Sequence, residues 1–386
     1  MTDRPIYLDH NATTPVDKRV LDAMLPYFTQ EFGNASSVEH RHGNAAAEAV
    51  RLARAQVADA IGARENEIIF TGSATEASNM AILGLAKAEP EKRHAITSVI
   101  EHPAVLEPFR ELERLGWSIT YLDVDESGQV SLDGLRASLR ADTALVSVMA
   151  GNNEVGTLQP FREIGRIAQD AGALFHTDLA QVMTTQRIDV AKDNVHLASL
   201  SAHKAYGPKG IGALYVRSRG PRARIAPLVF GGGQERGLRS GTLNVPLIVG
   251  MGEALAIAAR EAPKHAERLA NLSRIFLERL TRGVAGVRLN GHPTERLPGN
   301  VSLSIDGVDP YALMRMISNV VSFSASSACS TNSVETSHVL LAMFGESERA
   351  ASAFRIAAGR MTTEEEMLFA ADTIVEACNR LSRLVA

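Results

Sequence analysis

The feature that most restricts the fold of this chain is an alternation of short apolar runs with longer stretches that carry the period of a helix. Runs at 67–70, 95–99, 118–122, 144–149, 173–176, 197–199 and 212–216 read as strands, and 45–61, 76–88, 104–115 and 161–170 read as the helices between them. Strands that alternate with helices of this length predict an α/β architecture with a mainly parallel, seven-stranded sheet. In such a sheet the functional groups collect in loops beyond the carboxyl ends of the strands. After about residue 260 the character changes to a charged helical pattern at 261–280, a strand-like run at 301–305 and a serine-rich loop. The expected division is a large unit over 16–259 and a smaller α/β unit formed by 260–386 with the N-terminal arm 1–15.

Composition narrows the classes. With 386 residues, 45% hydrophobic and 22% charged, the chain can bury a large core. No run reaches the length of a membrane span, and the N-terminus lacks the basic and apolar regions of a signal peptide, so the cytoplasm is the expected compartment. A net charge of −4 supplies no field for direct, non-specific nucleic-acid binding. Two cysteines make no disulfide framework, and no cysteine or histidine cluster has metal-ligand spacing. His40 and His42 read as structural or exposed.

Four separated segments fit one chemistry. Thr71-Gly72-Ser73-Ala74-Thr75-Glu76 ends a strand and opens a helix, a place for a phosphate, although an ordinary Ser/Thr cap reads the same way. Asp178 follows an apolar strand, where a carboxylate can hold a ring nitrogen protonated or simply cap a helix. Lys204, in Ser201-Ala202-His203-Lys204, enters from the buried run 197–200 and can form a Schiff base, whereas most lysines are solvated. His203 beside it reads equally as a structural histidine. Cys329 lies in a polar, serine-rich stretch suited to an exposed thiol, reactive or incidental. Cys378 sits in a helical pattern and reads as a small buried filler. Together, the lysine beside a histidine, the strand-end acid and the hydroxyl-rich turn are what pyridoxal phosphate (PLP) requires of a protein.

Two strings, 201–212 (SAHKAYGPKGIG) and 231–237 (GGGQERG), resemble those of the cysteine desulfurases of the NifS/IscS type, in the class V group of fold-type I PLP enzymes. The resemblance runs from 7–15 (YLDHNATTP) to Arg355 and 359–366 (GRMTTEEE). It implies that Lys204 carries the cofactor, His102 stacks on the ring, Asp178 pairs the ring nitrogen and Gln181 meets the ring oxygen, with Asn153 at the same end. Ala74, Thr75, Ser201 and His203 are expected at the phosphate, with Thr242 arriving from a second subunit of a homodimer. Arg355 is expected to clamp the substrate carboxylate in a bidentate pair, with Asn11 beside it. Under the same resemblance the activity is conversion of L-cysteine to L-alanine, with Cys329 as nucleophile and persulfide carrier. The sulfur then passes to an accepting protein, such as an Fe–S scaffold or a thiolation enzyme.

Several positions depart from that pattern. Ser326 and Thr336 stand where glycine and proline are usual, Ala357 replaces a serine, Leu179 fills a position that is usually small, and Gly72-Ser73 inverts the usual order. The sequence stops at Ala386, without the longer tail through which some members dock a scaffold. A PLP aminotransferase or a selenocysteine lyase shares Lys204 and Asp178, and a sulfur-relay protein is a rival from another class. Arg217, Arg219, Arg222 and Arg224 read as a docking surface for an acidic partner or as a solvated loop.

Overall fold

The structure is a computed structural model that describes residues 4–325 and 336–385. The chain opens with a two-residue strand, β1 (Ile6–Tyr7). A seven-stranded sheet follows, built from β2 (Ile68–Thr71), β3 (His94–Ser98), β4 (Ser118–Leu122), β5 (Thr143–Ser147), β6 (Leu174–Asp178), β7 (Leu197–Ser201) and β8 (Gly212–Val216). Its spatial order is β2-β8-β7-β6-β5-β3-β4. The strands β4, β3, β5, β6 and β7 are mutually parallel, and only β8 runs against its neighbours β7 and β2. This is the mainly parallel sheet that the alternating pattern predicts.

The apolar side chains on both faces of these strands have a direct cause. Along β2, Ile68 and Phe70 enter one core while Ile69 enters the other; along β7, Ala198 and Leu200 enter the first and Leu197 the second. Successive side chains point to opposite faces, and helices cover both faces, so neither face needs polar residues. The carboxyl ends of β2, β3, β5, β6 and β7 therefore open on one edge of the sheet.

A second sheet is built from β9 (Val287–Asn290), β10 (Asn300–Ile305), β12 (Ser324–Ala325) and β13 (Ala353–Ala357), with β11 (Val321–Ser322) just before β12. Its order is β12-β13-β10-β9, all antiparallel, while β1 pairs in parallel with β11. Leu8, directly after β1, is fully buried in the core of this sheet beside Leu303, Phe354 and Ile356. Cys378 lies in the same core at 1% exposure.

One helix departs from the sequence reading. The charged pattern suggests a start at 261, but the helix runs unbroken over Val245–Gly283. Asn244 caps it by accepting from Leu247 N–H, and Pro246 stands in its first turn, where no intrahelical donor is lost. Val245, Ile248 and Met251 pack under the large sheet, and Leu269, Leu272, Phe276 and Leu280 pack under the small one. The first half is apolar over most of its surface, so it carries no clean amphipathic period. Among the described residues no helix is long and apolar enough to cross a membrane.

Candidate active site

The carboxyl edge of the large sheet, the N-terminal arm and the start of β13 enclose a cavity of about 340 Å³. Of the residues singled out from sequence, Asn11, Ala74, Thr75, His102, Asn153, Asp178, Gln181, Ser201, His203, Lys204 and Arg355 all line it. Thr242 does not; it is exposed, in the segment before the long helix. Cys329 and Ser326 fall within 326–335, outside the described residues. The described ends of that segment reach the cavity wall: Ser324 lines it, and Ser337 Oγ donates to the Glu154 carboxylate, next to Asn153.

The phosphate turn is set by local chemistry. Ser73, in an extended conformation, caps the helix Ala74–Ala88 by accepting from Glu76 N–H at 3.1 Å. The first amides of a helix have no intrahelical acceptor, so those of Ala74 and Thr75 are left for a ligand at the positive end of the helix dipole. Glu76 folds back, with Oε2 accepting from Gly72 N–H at 2.5 Å and Oε1 from Arg239 Nε at 2.8 Å. Gly212 closes the turn from the other side; a Cβ there would lie 2.5 Å from the Ser73 carbonyl carbon and 2.7 Å from Ala74 N. The hydroxyl of Thr71, in contrast, is taken by its own turn, donating to Ser73 O at 2.8 Å.

Asp178 is the last residue of β6, and no helix starts there. Burial raises its pKa, against the opposing pull of the Ala180 amide and of the charges on His102 and Lys204. Its Oδ1 accepts from Ala180 N–H at 2.8 Å. A carboxylate so desolvated gains from a cationic partner in the cavity. His102 caps the helix Pro103–Arg114 through Nδ1, which accepts from Ala104 N–H at 3.0 Å. That bond needs an unprotonated Nδ1, so the proton of the neutral ring sits on Nε2. Burial holds the ring below the usual imidazole range.

Lys204 ends the single 3₁₀ turn Ala202–Lys204 after β7, and its Nζ donates to the carbonyls of Asn11 and Ala12, the latter at 2.7 Å. Asn11 and Gln181 form a reciprocal pair: Asn11 Nδ2 donates to Gln181 Oε1 at 2.9 Å, and Gln181 Nε2 donates to Asn11 O at 3.0 Å. His203 is tied to the arm through Thr13 Oγ1 at 3.1 Å, and burial, then the Lys204 charge, pushes its pKa down to about 4. Beneath these groups, Ser147 Oγ, His176 and Ser199 Oγ form a buried chain, with burial lowering the His176 pKa to about 3.

The structure adds residues that the sequence reading passed over. Asp9 and Ser324 line the cavity and both contact Arg355. Glu101 is fully buried at the base of His102, and burial pushes its pKa up to about 8. Asp9 follows a short apolar strand, the same context as Asp178, and that was its available signal. His40 caps the helix Arg41–Ile61, and Leu179 is buried in the large core, which accounts for its size at a usually small position.

These groups fit PLP on physical grounds. Free helix amides and hydroxyls suit a phosphate, a buried carboxylate suits a pyridinium, and an amine and an arginine line the same cavity. The family model described as aminotransferase class-V matches residues 6–368. A protein named cysteine desulfurase IscS, from Rickettsia bellii (strain OSU 85-389), is 47% identical over 98% of this chain and 92% of its own length. Among solved structures, a NifS-like protein superposes with a TM-score of 0.90 at 37% identity, covering 97% of this chain and 99% of its own. SspA in complex with cysteine superposes with a TM-score of 0.81 at 38% identity, covering 91% of this chain and 98% of its own. With a match of that extent in both sequence and architecture, the chain belongs to the class-V aminotransferase family and, within it, to the PLP-dependent cysteine desulfurases of the NifS/IscS type, with their fold-type I architecture.

Proposed function

We propose that this chain converts L-cysteine to L-alanine and holds the released sulfur on Cys329 for a sulfur-accepting protein. The observation that carries this reading is the placement of Lys204, Asp178, His102 and Arg355 around one cavity with the helix amides of Ala74 and Thr75. Bound PLP supplies an electron sink that weakens the bonds at the substrate Cα and Cβ. The chain's own residues do the rest. Lys204 holds the cofactor covalently and, once released from it, is the base placed to move the Cα proton. Asp178 keeps the ring nitrogen protonated, His102 stacks on the ring, and Gln181 and Asn153 bracket the end near the ring oxygen. Ala74, Thr75, Ser201 and His203 hold the phosphate. Arg355 and Asn11 orient the substrate carboxylate. The Cys329 thiolate attacks the substrate sulfur: a sulfur–sulfur bond forms, the electron pair of the broken carbon–sulfur bond goes to the substrate Cβ, which takes up a proton, and alanine leaves.

In this reading 16–259 form the cofactor unit, and 1–15 with 260–386 form a smaller unit that carries Arg355 and Cys329. The working unit is a homodimer. Its support is the set of exposed apolar side chains along the first helices and the loop between them, where Leu25, Phe28, Phe32, Val38 and Leu52 are all half or more exposed; apolar surface of that extent calls for a partner. Thr242, exposed on one chain, is then the group that completes the other chain's phosphate site. The acceptor is a protein of Fe–S assembly or of a thiolation pathway.

Single turnover with L-cysteine followed by mass mapping tests the reading. The extra sulfur is expected on Cys329, and Cys329→Ser is expected to bind cysteine while releasing almost no sulfide. Sulfur on Cys378, or full activity in Cys329→Ser, rules the mechanism out. Sedimentation of an active monomer at assay concentration rules out the dimer.

A further inference from the structure

Arg355 meets the cavity already paired. It is 5% exposed; Nη2 donates to Asp9 Oδ1 at 2.6 Å and to Ser324 Oγ at 3.3 Å, and Nη1 donates to Asn153 O at 2.8 Å. Nε, also buried, has no acceptor among the described residues. A guanidinium offers five N–H bonds, and a carboxylate takes two of them in parallel along either of two edges, Nε with Nη2 or Nη1 with Nη2. Both edges use Nη2. Asp9 and Ser324 together occupy both of its hydrogens, so a bidentate carboxylate can settle on Arg355 only when one of them yields.

Asp9 is the one built to yield. Its backbone is fixed, bridged to Ala357 at the end of β13 and held at its carbonyl by Tyr7 Oη at 3.0 Å. Its carboxylate, on a single rotatable arm, reaches into the cavity. A guanidinium neutralised by one carboxylate attracts a second only weakly, because the second anion also meets the first. A buried arginine with no partner is costly, so a resident carboxylate keeps Arg355 in place until substrate arrives.

We propose that Asp9 is a specificity-determining residue: it competes with the substrate carboxylate for Arg355 Nη2 and so sets the affinity for cysteine. A simple monocarboxylate has only its carboxylate with which to displace Asp9 and is kept out. Cysteine has further contacts through its amine and thiol, and displaces it. The inference rests on the reading of Arg355 as the substrate carboxylate site.

The experiment compares wild type, Asp9→Asn and Arg355→Lys as PLP-loaded enzymes, measuring KM for cysteine and the binding of propionate by calorimetry. Asn keeps the acceptor oxygen and removes the charge. Asp9→Asn is expected to lower the cysteine KM and to tighten propionate binding, each about fivefold, the effect of one neighbouring charge at a part-buried site. A loosened structure cannot produce tighter binding of both ligands. Asp9→Ser gives the same comparison if the Asn variant folds poorly, with melting curves as the check. Arg355→Lys is expected to raise KM at least tenfold; an unchanged KM there removes the arginine reading itself. If Arg355→Lys raises KM while Asp9→Asn raises it too or leaves it unchanged, Asp9 only orients the arginine, and the competition is overturned with the substrate reading intact.

Discussion

The guanidinium of Arg360 sits 4.3 Å from the ring centroid of Tyr206, and the Arg360 backbone N–H donates to Tyr206 Oη at 2.5 Å across 154 residues of sequence. Tyr206 lies two residues past Lys204 with φ at +63°, a left-handed conformation that costs a non-glycine residue about 1–2 kcal/mol. Arg360 lies just past β13, the strand of Arg355. Its Nη1 also donates to Asp17 Oδ2 at 2.6 Å, and Asp17 N–H donates to Tyr206 O at 2.9 Å. The hydrogen bonds of Arg19, then those of Arg360, hold the Asp17 carboxyl well below the usual carboxylate range. Two separate segments, around Asp17 and around Arg360, are thus fastened to the lysine turn.

Removing that fastening has a defined outcome. Arg360→Ala leaves Asp17, which is 4% exposed, without one of its cations and Tyr206 without its cover. The expected loss is about 3 kcal/mol of stability, as for a broken buried pair, read as a lower melting temperature. The cysteine KM is expected to rise more than kcat falls, because Arg355 loses its register with Lys204.

Lys204 and Asp178 separate by their effects on the cofactor. Lys204→Ala is expected to abolish the visible absorbance of covalently held PLP and all turnover. Asp178→Asn keeps the shape but cannot stabilise a protonated ring nitrogen, so PLP binds while turnover falls by about a hundredfold or more. Near-wild-type rates in either variant contradict the assigned roles.

Cys378 is a packing residue with a measurable cost. Burial pushes its thiol up to about 11, far from a reactive thiolate, and its neighbours are apolar. Cys378→Ser is expected to cost about 1–3 kcal/mol by leaving a hydroxyl among apolar side chains. Cys378→Ala costs less. Both should keep wild-type sulfide release, measured beside denaturant melts.

Glu101 makes stability depend on pH. Its Oε1 accepts from Ser98 Oγ at 2.7 Å and Met149 N–H at 2.9 Å, Oε2 is buried without a partner among the described residues, and burial pushes the pKa from 4.5 up to about 8. Between those values the folded chain keeps a proton that the unfolded chain releases, so rising pH favours unfolding across that window and has no further effect above it. Glu101→Gln cannot ionise. It is expected to melt higher than wild type at pH 8.5 and to converge with it near pH 5; equal melting temperatures at both pH values would contradict the buried, protonated acid.

Much of this architecture is legible in single segments. The strands and most helices of the large sheet fall within a few residues of their apolar runs, because a strand covered on both faces carries apolar residues toward each of them. Asp178 and Lys204 are legible for the same reason: each follows such a run within a few residues, and so stands at the carboxyl edge. The long helix Val245–Gly283 was half hidden, since its first part is apolar on nearly every side and its two halves serve different cores.

By itself, the sequence determined the α/β class, the strand–turn–helix with its Ser73 cap, the acid at the end of β6 and the lysine after β7, all set by residues within one element and its turn. Only the tertiary structure decided which groups meet: Asp9 with Arg355 across 346 residues, Arg360 with Tyr206, and Ser337 with Glu154. Side chains so far apart in sequence leave no periodic or spacing signal. Their pairing follows from how the small sheet and the arm close over the large sheet, and with it follows the competition at Arg355 that the isolated motifs could not express.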